Sequence, residues 1–138
     1  MSGIRGKNTQ PELLVRRGLH ARGFRFRLHT AKVPGKPDLV LARYRAAIFV
    51  HGCFWHGHDC HLFRLPTTNT EFWREKIGRN RSRDLQVREQ LSTSGWRVMV
   101  IWECALKGRT RLDPAGVLDL IVAWLRGDGP SLDISGAA

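Results

Sequence analysis

Ala46-Ala47-Ile48-Phe49-Val50 is an unbroken apolar run, followed at once by His51-Gly52-Cys53-Phe54-Trp55-His56-Gly57-His58-Asp59-Cys60-His61. A short apolar run with no polar alternation predicts a strand buried on both faces, at the centre of a sheet. Towards the N-terminus, Arg43 to Arg45 reads as a turn and Asp38-Leu39-Val40-Leu41-Ala42 as a second strand. Thr30 to Pro37 holds two prolines and a glycine and is a loop. Phe24 to Leu28 alternates apolar and basic residues, the pattern of a half-buried strand. Before it, Thr9 and Glu12 match a capping box, with Pro11 in the first turn. The helix they open is expected from about Gln10 to Arg22, with Leu13, Leu14, Gly18 and Leu19 on one face and Gly23 at its end. Towards the C-terminus, Thr70 is placed to cap a helix over Glu71 to Gly78, and a second, arginine-rich helical stretch spans Asn80 to Ser94. Trp96 to Trp102 is a further strand, and Asp113-Pro114 starts a last helix ending near Arg126. Beyond Gly129 a loose tail is expected. The order predicts an α/β fold, a small mixed β-sheet flanked by helices.

The 138 residues suit one domain, residues 1–138, preceded by a polar arm at 1–8 and ended by the tail at 129–138. With 42% hydrophobic residues a real core is possible, and general disorder is excluded. Charges interrupt every apolar run before the roughly 18 residues that a membrane span needs. Met1 to Thr9 has no hydrophobic stretch and does not read as a signal peptide. Lys and Arg number 23 against 12 Asp and Glu, a net charge of +11. That balance points to an anionic partner, nucleic acid first and a membrane surface second. The arginines interleave with rings, as in Phe24-Arg25-Phe26-Arg27 and Phe72-Trp73-Arg74, which suits phosphate contact beside base stacking.

Cys53, Cys60 and Cys104 are the three cysteines, an odd number that fits a disulfide framework poorly. The loop from His51 to His61 packs two of them with four histidines into 11 residues. His58 and Cys60 are two apart and can point the same way, and Cys53 is far enough back for the chain to turn. A fourth ligand must come from a distance, and Cys104 is the remaining thiol. The expectation is a closed Cys₃His structural Zn2+ site of Cys53, His58, Cys60 and Cys104, which leaves the ion no open position for catalysis. The competing reading buries Cys104 in the core and leaves the histidines on the surface.

Phe54 and Trp55 are consecutive rings in a glycine-containing loop. One ring can pack over the metal site, but two neighbours in an extended segment cannot easily both point inward. One of them is then an exposed wedge or stacking platform for a base step. Asp38, directly after Pro37, either caps a turn or binds a divalent cation for phosphodiester chemistry beside the histidines. Glu12 is explained as a helix cap unless the fold brings it near Asp38.

Taken together, these segments resemble the very short patch repair (Vsr) DNA mismatch endonucleases. The resemblance is carried by Pro34-Gly35-Lys36-Pro37-Asp38, by His51-Gly52-Cys53-Phe54-Trp55-His56 with His58 and Cys60, and by Thr70-Glu71-Phe72-Trp73-Arg74-Glu75-Lys76-Ile77-Gly78. Gly95-Trp96-Arg97-Val98 and Trp102-Glu103-Cys104-Ala105-Leu106 extend it. It implies a PD-(D/E)XK restriction-endonuclease-like core and Mg2+-dependent nicking of one DNA strand, 5′ of the T in T:G mismatches left by 5-methylcytosine deamination. By the same resemblance Asp38 is the Mg2+ ligand, His56 the general base and His51 a second catalytic histidine, with Glu12 acting through the metal's water shell. Cys53, His58, Cys60 and Cys104 match the structural zinc ligands. Phe54, Trp55 and Trp73 match the rings that wedge into the duplex, and Asp84 is a candidate carboxylate for orienting a histidine. Val50 stands where a well-known member has Thr, which is tolerable if the Mg2+ contact is a backbone carbonyl. The arm before the first helix is short, which predicts weaker affinity or site specificity.

The resemblance further implies double-stranded DNA as partner, a functional link to a cytosine-5 DNA methyltransferase, contact with repair proteins, a bacterial cytoplasmic location at the nucleoid, and action as a monomer. Two other readings stand beside it. One is a defence-associated nickase of different specificity. The other is a zinc-stabilised DNA-binding module without catalysis, for which the charge alone explains binding.

Overall fold

The computed structural model describes residues 9–137. The polar arm expected at residues 1–8 lies outside them. Three α-helices and five strands follow in the order α1 (Gln10–Ala21), β1 (Arg27–Leu28), β2 (Leu39–Leu41), β3 (Ala46–His51), α2 (Thr70–Thr93), β4 (Arg97–Trp102), α3 (Pro114–Arg126) and β5 (Leu132–Ile134). The strands form one sheet in sequence order. β1, β2 and β3 pair antiparallel, while β4 lies parallel to β3 and β5 parallel to β4. This is the mixed α/β sheet expected from the chain.

Strand alternation sends side chains to two covered faces. Ala46 and Ile48 of β3, with Met99 and Ile101 of β4, meet Val15 and Leu19 of α1 and Val117, Ile121 and Leu125 of α3. Ala47, Phe49, Val98 and Val100 face the other way, onto Leu91 of α2. The molecule is therefore three layers, with α1 and α3 on one side of the sheet and α2 on the other. Continuing the alternation, His51 falls on the α2 face, at the carboxyl end of β3 and in register with Trp102 of β4. Ligands of open α/β sheets bind outside these carboxyl ends.

Several expectations are corrected. The strand expected from Phe24 shrinks to Arg27–Leu28. Phe24 belongs instead to the end of α1, its amide donating to the Leu19 carbonyl at 3.0 Å while its ring is buried. The two helices expected on either side of Arg79 are one continuous helix. Gly78 is flanked by straight-chain Arg, Lys, Glu and Gln residues with high helix propensity, so a single glycine does not break it. Thr70 is not its cap. Asn69 holds that position, in a left-handed conformation, and the Thr70 hydroxyl donates to the Pro66 carbonyl at 2.9 Å. The loose tail beyond Gly129 is in fact β5, whose Ile134 is buried beside Ile101. Three residues are too short a run to show a period, so this strand is set by its neighbour rather than by its own pattern. No helix of the described residues is long and apolar enough to cross a membrane.

Candidate active site and metal centres

A cleft of about 860 Å³ opens between α2 and the carboxyl ends of β3 and β4. Asp38, His51, His56 and Asp84 line it together with Lys36, Arg81, Arg83 and Arg88. The Pro34-Gly35-Lys36-Pro37 loop reaches it by packing tightly on α2. Gly35 has φ +81°, and a Cβ there would lie 2.3 Å from Val87 Cγ1, so only glycine fits.

Asp38 sits just before β2, buried, and accepts a 2.6 Å hydrogen bond from the Val50 amide. Burial drives its pKa up to about 7, against the Val50 hydrogen bond, and the neighbouring Glu12 carboxylate pushes the same way. Glu12 is itself 1% exposed. The capping box is half formed: Thr9 Oγ1 accepts from the Glu12 amide at 3.3 Å. The Glu12 carboxylate turns inward instead, to Arg16 at 3.3 Å and to His29 Nε2 at 2.8 Å. His29 also stands 3.5 Å from Asp38 Oδ1, so Glu12, His29 and Asp38 form one cluster able to hold a metal ion. Two carboxylates buried together repel, and a divalent cation with its preference for oxygen donors relieves that repulsion.

The second cluster is His51, His56 and Asp84. Asp84 of α2 meets His56 Nδ1 at 2.6 Å. A carboxylate only accepts, so this contact places the proton on Nδ1 and leaves the Nε2 lone pair free to take another. His51 stacks on His56 with centroids 3.7 Å apart and planes 4° from parallel. Burial first, then His56, lowers the His51 pKa to about 3, with Asp84 opposing and Arg88 reinforcing the fall. His51 is thus a neutral imidazole at pH 7.

Cys53, His58, Cys60 and Cys104 also converge, with one ligand atom from each lying within 4.8 Å of the others. His58 Nδ1 is 3.5 Å from Cys53 Sγ and 3.6 Å from Cys104 Sγ. On a tetrahedral ion with thiolate and imidazole ligands that separation is about 3.5 Å. Cys53 and Cys104 thiols have raised pKa values, chiefly from burial. The His58 ring stacks on Trp102 at 4.1 Å, and the same indole presents its edge to His51 at 5.3 Å and His56 at 6.3 Å. Trp102 Nε1 donates to Asp133 of β5 at 3.0 Å, and Asp133 also pairs with Arg88. One tryptophan thereby spans the thiol cluster and the histidine pair.

Phe54, Trp55 and Trp73 gather beside the cleft, with centroid distances of 5.0, 5.6 and 5.8 Å. All three rings are half-buried, and Phe72 next to them is 55% exposed. The loop is held to α2 by Asn80, which donates to the Trp55 carbonyl at 2.9 Å, and by Gly57, where a Cβ would meet Ile77 and Arg81 at 2.8 Å.

Every site residue read from the sequence falls into one of these groups. His29, Arg88, Trp102 and Asp133 were not foreseen. His29 is isolated in a loop with no patterned neighbour. Trp102 and Asp133 read as ordinary strand positions or tail, and their contacts arise only when β4 and β5 pair.

Carboxylates, imidazoles and guanidiniums thus surround one cleft in a protein of net charge +11. Residues 1–62 match the family model described as DNA mismatch endonuclease Vsr. The chain is 44% identical to the DNA mismatch endonuclease Vsr of Escherichia coli K12, over 97% of this chain and 86% of that protein. It is 47% identical to a type II nicking enzyme of Xanthomonas oryzae pv. oryzae, V.XorIIP, over 83% of this chain and 90% of that one. A type II nicking enzyme of Neisseria meningitidis, V.NmeAIP, is 46% identical over 79% of this chain and 78% of its own length. The protein is a DNA endonuclease by class. It belongs to the Vsr DNA mismatch endonuclease family.

Proposed function

We propose that the protein is a Mg2+-dependent endonuclease that nicks one DNA strand 5′ of the T in a T:G mismatch. The observation that carries this reading is the arrangement of the cleft: Asp38, beside Glu12, shares one opening with the His56–Asp84 pair. The names of the Escherichia coli, Xanthomonas and Neisseria relatives support mismatch action and single-strand cutting. The mixed sheet with a carboxylate at the start of β2 fits a PD-(D/E)XK-like core.

In this reading Asp38 and the Val50 carbonyl hold Mg2+, with Glu12 reaching its water shell. The side chain of Val50 is then immaterial, because any residue supplies a carbonyl, while its amide pins Asp38. A Mg2+ held by these residues would supply polarisation of the phosphate and a more acidic attacking water. His56 takes the proton at Nε2, and Asp84 fixes the tautomer that makes Nε2 basic. His51, kept neutral by burial, holds the His56 ring by stacking without adding a competing charge. Lys36, Arg81, Arg83 and Arg88 receive the phosphates. Cys53, His58, Cys60 and Cys104 would hold a structural Zn2+, which would add rigidity to a loop otherwise tied to α2 by Asn80 and the close approach at Gly57. Phe54, Trp55 and Trp73 wedge into the base step. Unstacking costs a few kcal/mol and costs least where pairing is already poor, which favours a mismatch. The protein acts as a monomer in the bacterial cytoplasm, at the nucleoid. The lesion it serves arises behind a cytosine-5 methyltransferase, and downstream repair proteins must seal the nick.

A strand-specific cleavage assay tests this. End-labelled duplexes with T:G in varied contexts, and matched controls, are incubated with and without Mg2+. The expected result is one Mg2+-dependent nick beside the mismatched T, with kcat reduced about 10²- to 10⁴-fold in Asp84→Asn. Nicking of matched DNA moves the protein to the defence-nickase reading, and binding with no cut rejects catalysis.

A further inference from the structure

The proposed reaction leaves His29 without a task, although it stands between the two buried carboxylates. Its Nε2 is 2.8 Å from Glu12 Oε2 and 3.5 Å from Asp38 Oδ1. The ring is aligned with neither oxygen, so this buried nitrogen makes no hydrogen bond among the described residues. A nitrogen so close to two carboxylates yet pointed past both is arranged like a ligand around an ion rather than like a donor to either oxygen. Adjacent ligand atoms on an octahedral ion with bonds of about 2.1 Å lie about 3.0 Å apart. The two observed separations bracket that value. His29 has φ 48°, in the left-handed region that few non-glycine residues occupy, and its amide is tied to the Asp38 carbonyl at 3.3 Å.

We propose that His29 is a direct ligand of the cation held by Asp38 and that Glu12 then binds the ion directly rather than through its water shell, so that Glu12, His29 and Asp38 form a carboxylate–imidazole–carboxylate site that favours a first-row transition ion such as Mn2+ over Mg2+. The chemistry follows from the donors. Mg2+ prefers oxygen ligands and keeps its waters, whereas imidazole is a good ligand for transition ions. An oxygen-only site shows little preference of this kind, and one nitrogen introduces it. The inference rests on the reading that a cation binds at Asp38, and the experiment separates the two.

The test uses the full chain with its thiol cluster loaded with zinc, without DNA. Mn2+ and Mg2+ affinities are measured by titration for the native protein, His29→Gln and Asp38→Asn, with circular dichroism confirming the fold of each. Pulsed electron paramagnetic resonance on bound Mn2+ reads directly coordinated nitrogen. Native protein is expected to show a histidine nitrogen coupling that changes on 15N-histidine labelling. His29→Gln loses this coupling and about 10- to 100-fold of its Mn2+ affinity, with a much smaller loss for Mg2+. A His56→Gln control keeps the coupling, which excludes the second histidine cluster as its source. Native protein with no nitrogen coupling overturns the proposal even if His29→Gln fails to fold. So does an unchanged Mn2+ to Mg2+ ratio in a folded His29→Gln. Mn2+ binding unaffected by Asp38→Asn overturns the underlying cation site as well. Binding lost in Asp38→Asn but unchanged in His29→Gln overturns only the ligand role of His29.

Discussion

Burial acts on Asp38 and His51 in opposite directions on the pKa scale and with one result, since it favours the neutral form of each. For Asp38 this has a consequence for stability in the absence of added divalent cations. Its folded pKa of about 7 lies above its ordinary value of 3.8. Below pH 4 the group is protonated whether the chain is folded or not and contributes nothing. Between pH 4 and 7 the unfolded chain releases the proton while the native state retains it, so stability falls as pH rises, and above pH 7 the whole penalty stands. Asp38→Asn keeps an oxygen for the Val50 amide and has no such titration. Its urea midpoint relative to the native protein should therefore climb from pH 4 to pH 7, and added Mn2+ or Mg2+ should shrink the difference. A flat difference across that range would mean that Asp38 ionises freely in the folded protein. At this scale the chain was legible where chemistry is concentrated. The cysteines and the histidine-rich loop announce themselves by type and spacing, whereas Asp38 alone reads equally as a turn cap and gains its role from the resemblance, and His29 is a lone histidine whose meaning comes from the fold that brings Glu12 and Asp38 beside it.

Among the elements, α2 is the one that the sequence misrepresents most. Only Ile77 and Leu91 of its 24 residues are buried, so it carries almost no apolar stripe to read. Gly78 then looks like a stop. In the structure a Cβ at Gly78 meets nothing within 4 Å and its φ is not positive, so its glycine serves no steric need. Gly78→Ala should raise stability by about 0.5–1 kcal/mol, seen as a higher urea midpoint at unchanged slope. A loss of stability would mean that the helix bends there in solution. β3 and β4 were legible because each is an apolar run long enough to identify. β1 and β5 were not, because strands of two or three residues are defined by the partner they hydrogen-bond rather than by their own composition.

Across the whole molecule, the thiol cluster and the cleft are one construction. His58 stacks on Trp102, and Trp102 borders His51 and His56. Cys60→Ala is expected to release the metal and loosen the loop, and also to reduce nicking, although no thiol lines the cleft. Metal content, amide exchange over residues 51–61 and the cleavage rate check the three effects together. Native protein purified without zinc, or full activity in a metal-free variant, would separate the two sites. The far end of the chain closes the same construction: Asp133 holds Trp102, and the Gly136 amide donates to Cys104 Sγ at 3.3 Å. Chains are made from the N-terminus, so these residues leave the ribosome after every other strand of the sheet. A nascent chain acquires its positive charge and its histidines before it acquires the brace that sets them. A chain that lacks β5 is therefore expected to keep the charge that suits DNA and to lose the brace that sets Trp102 against His51 and His56.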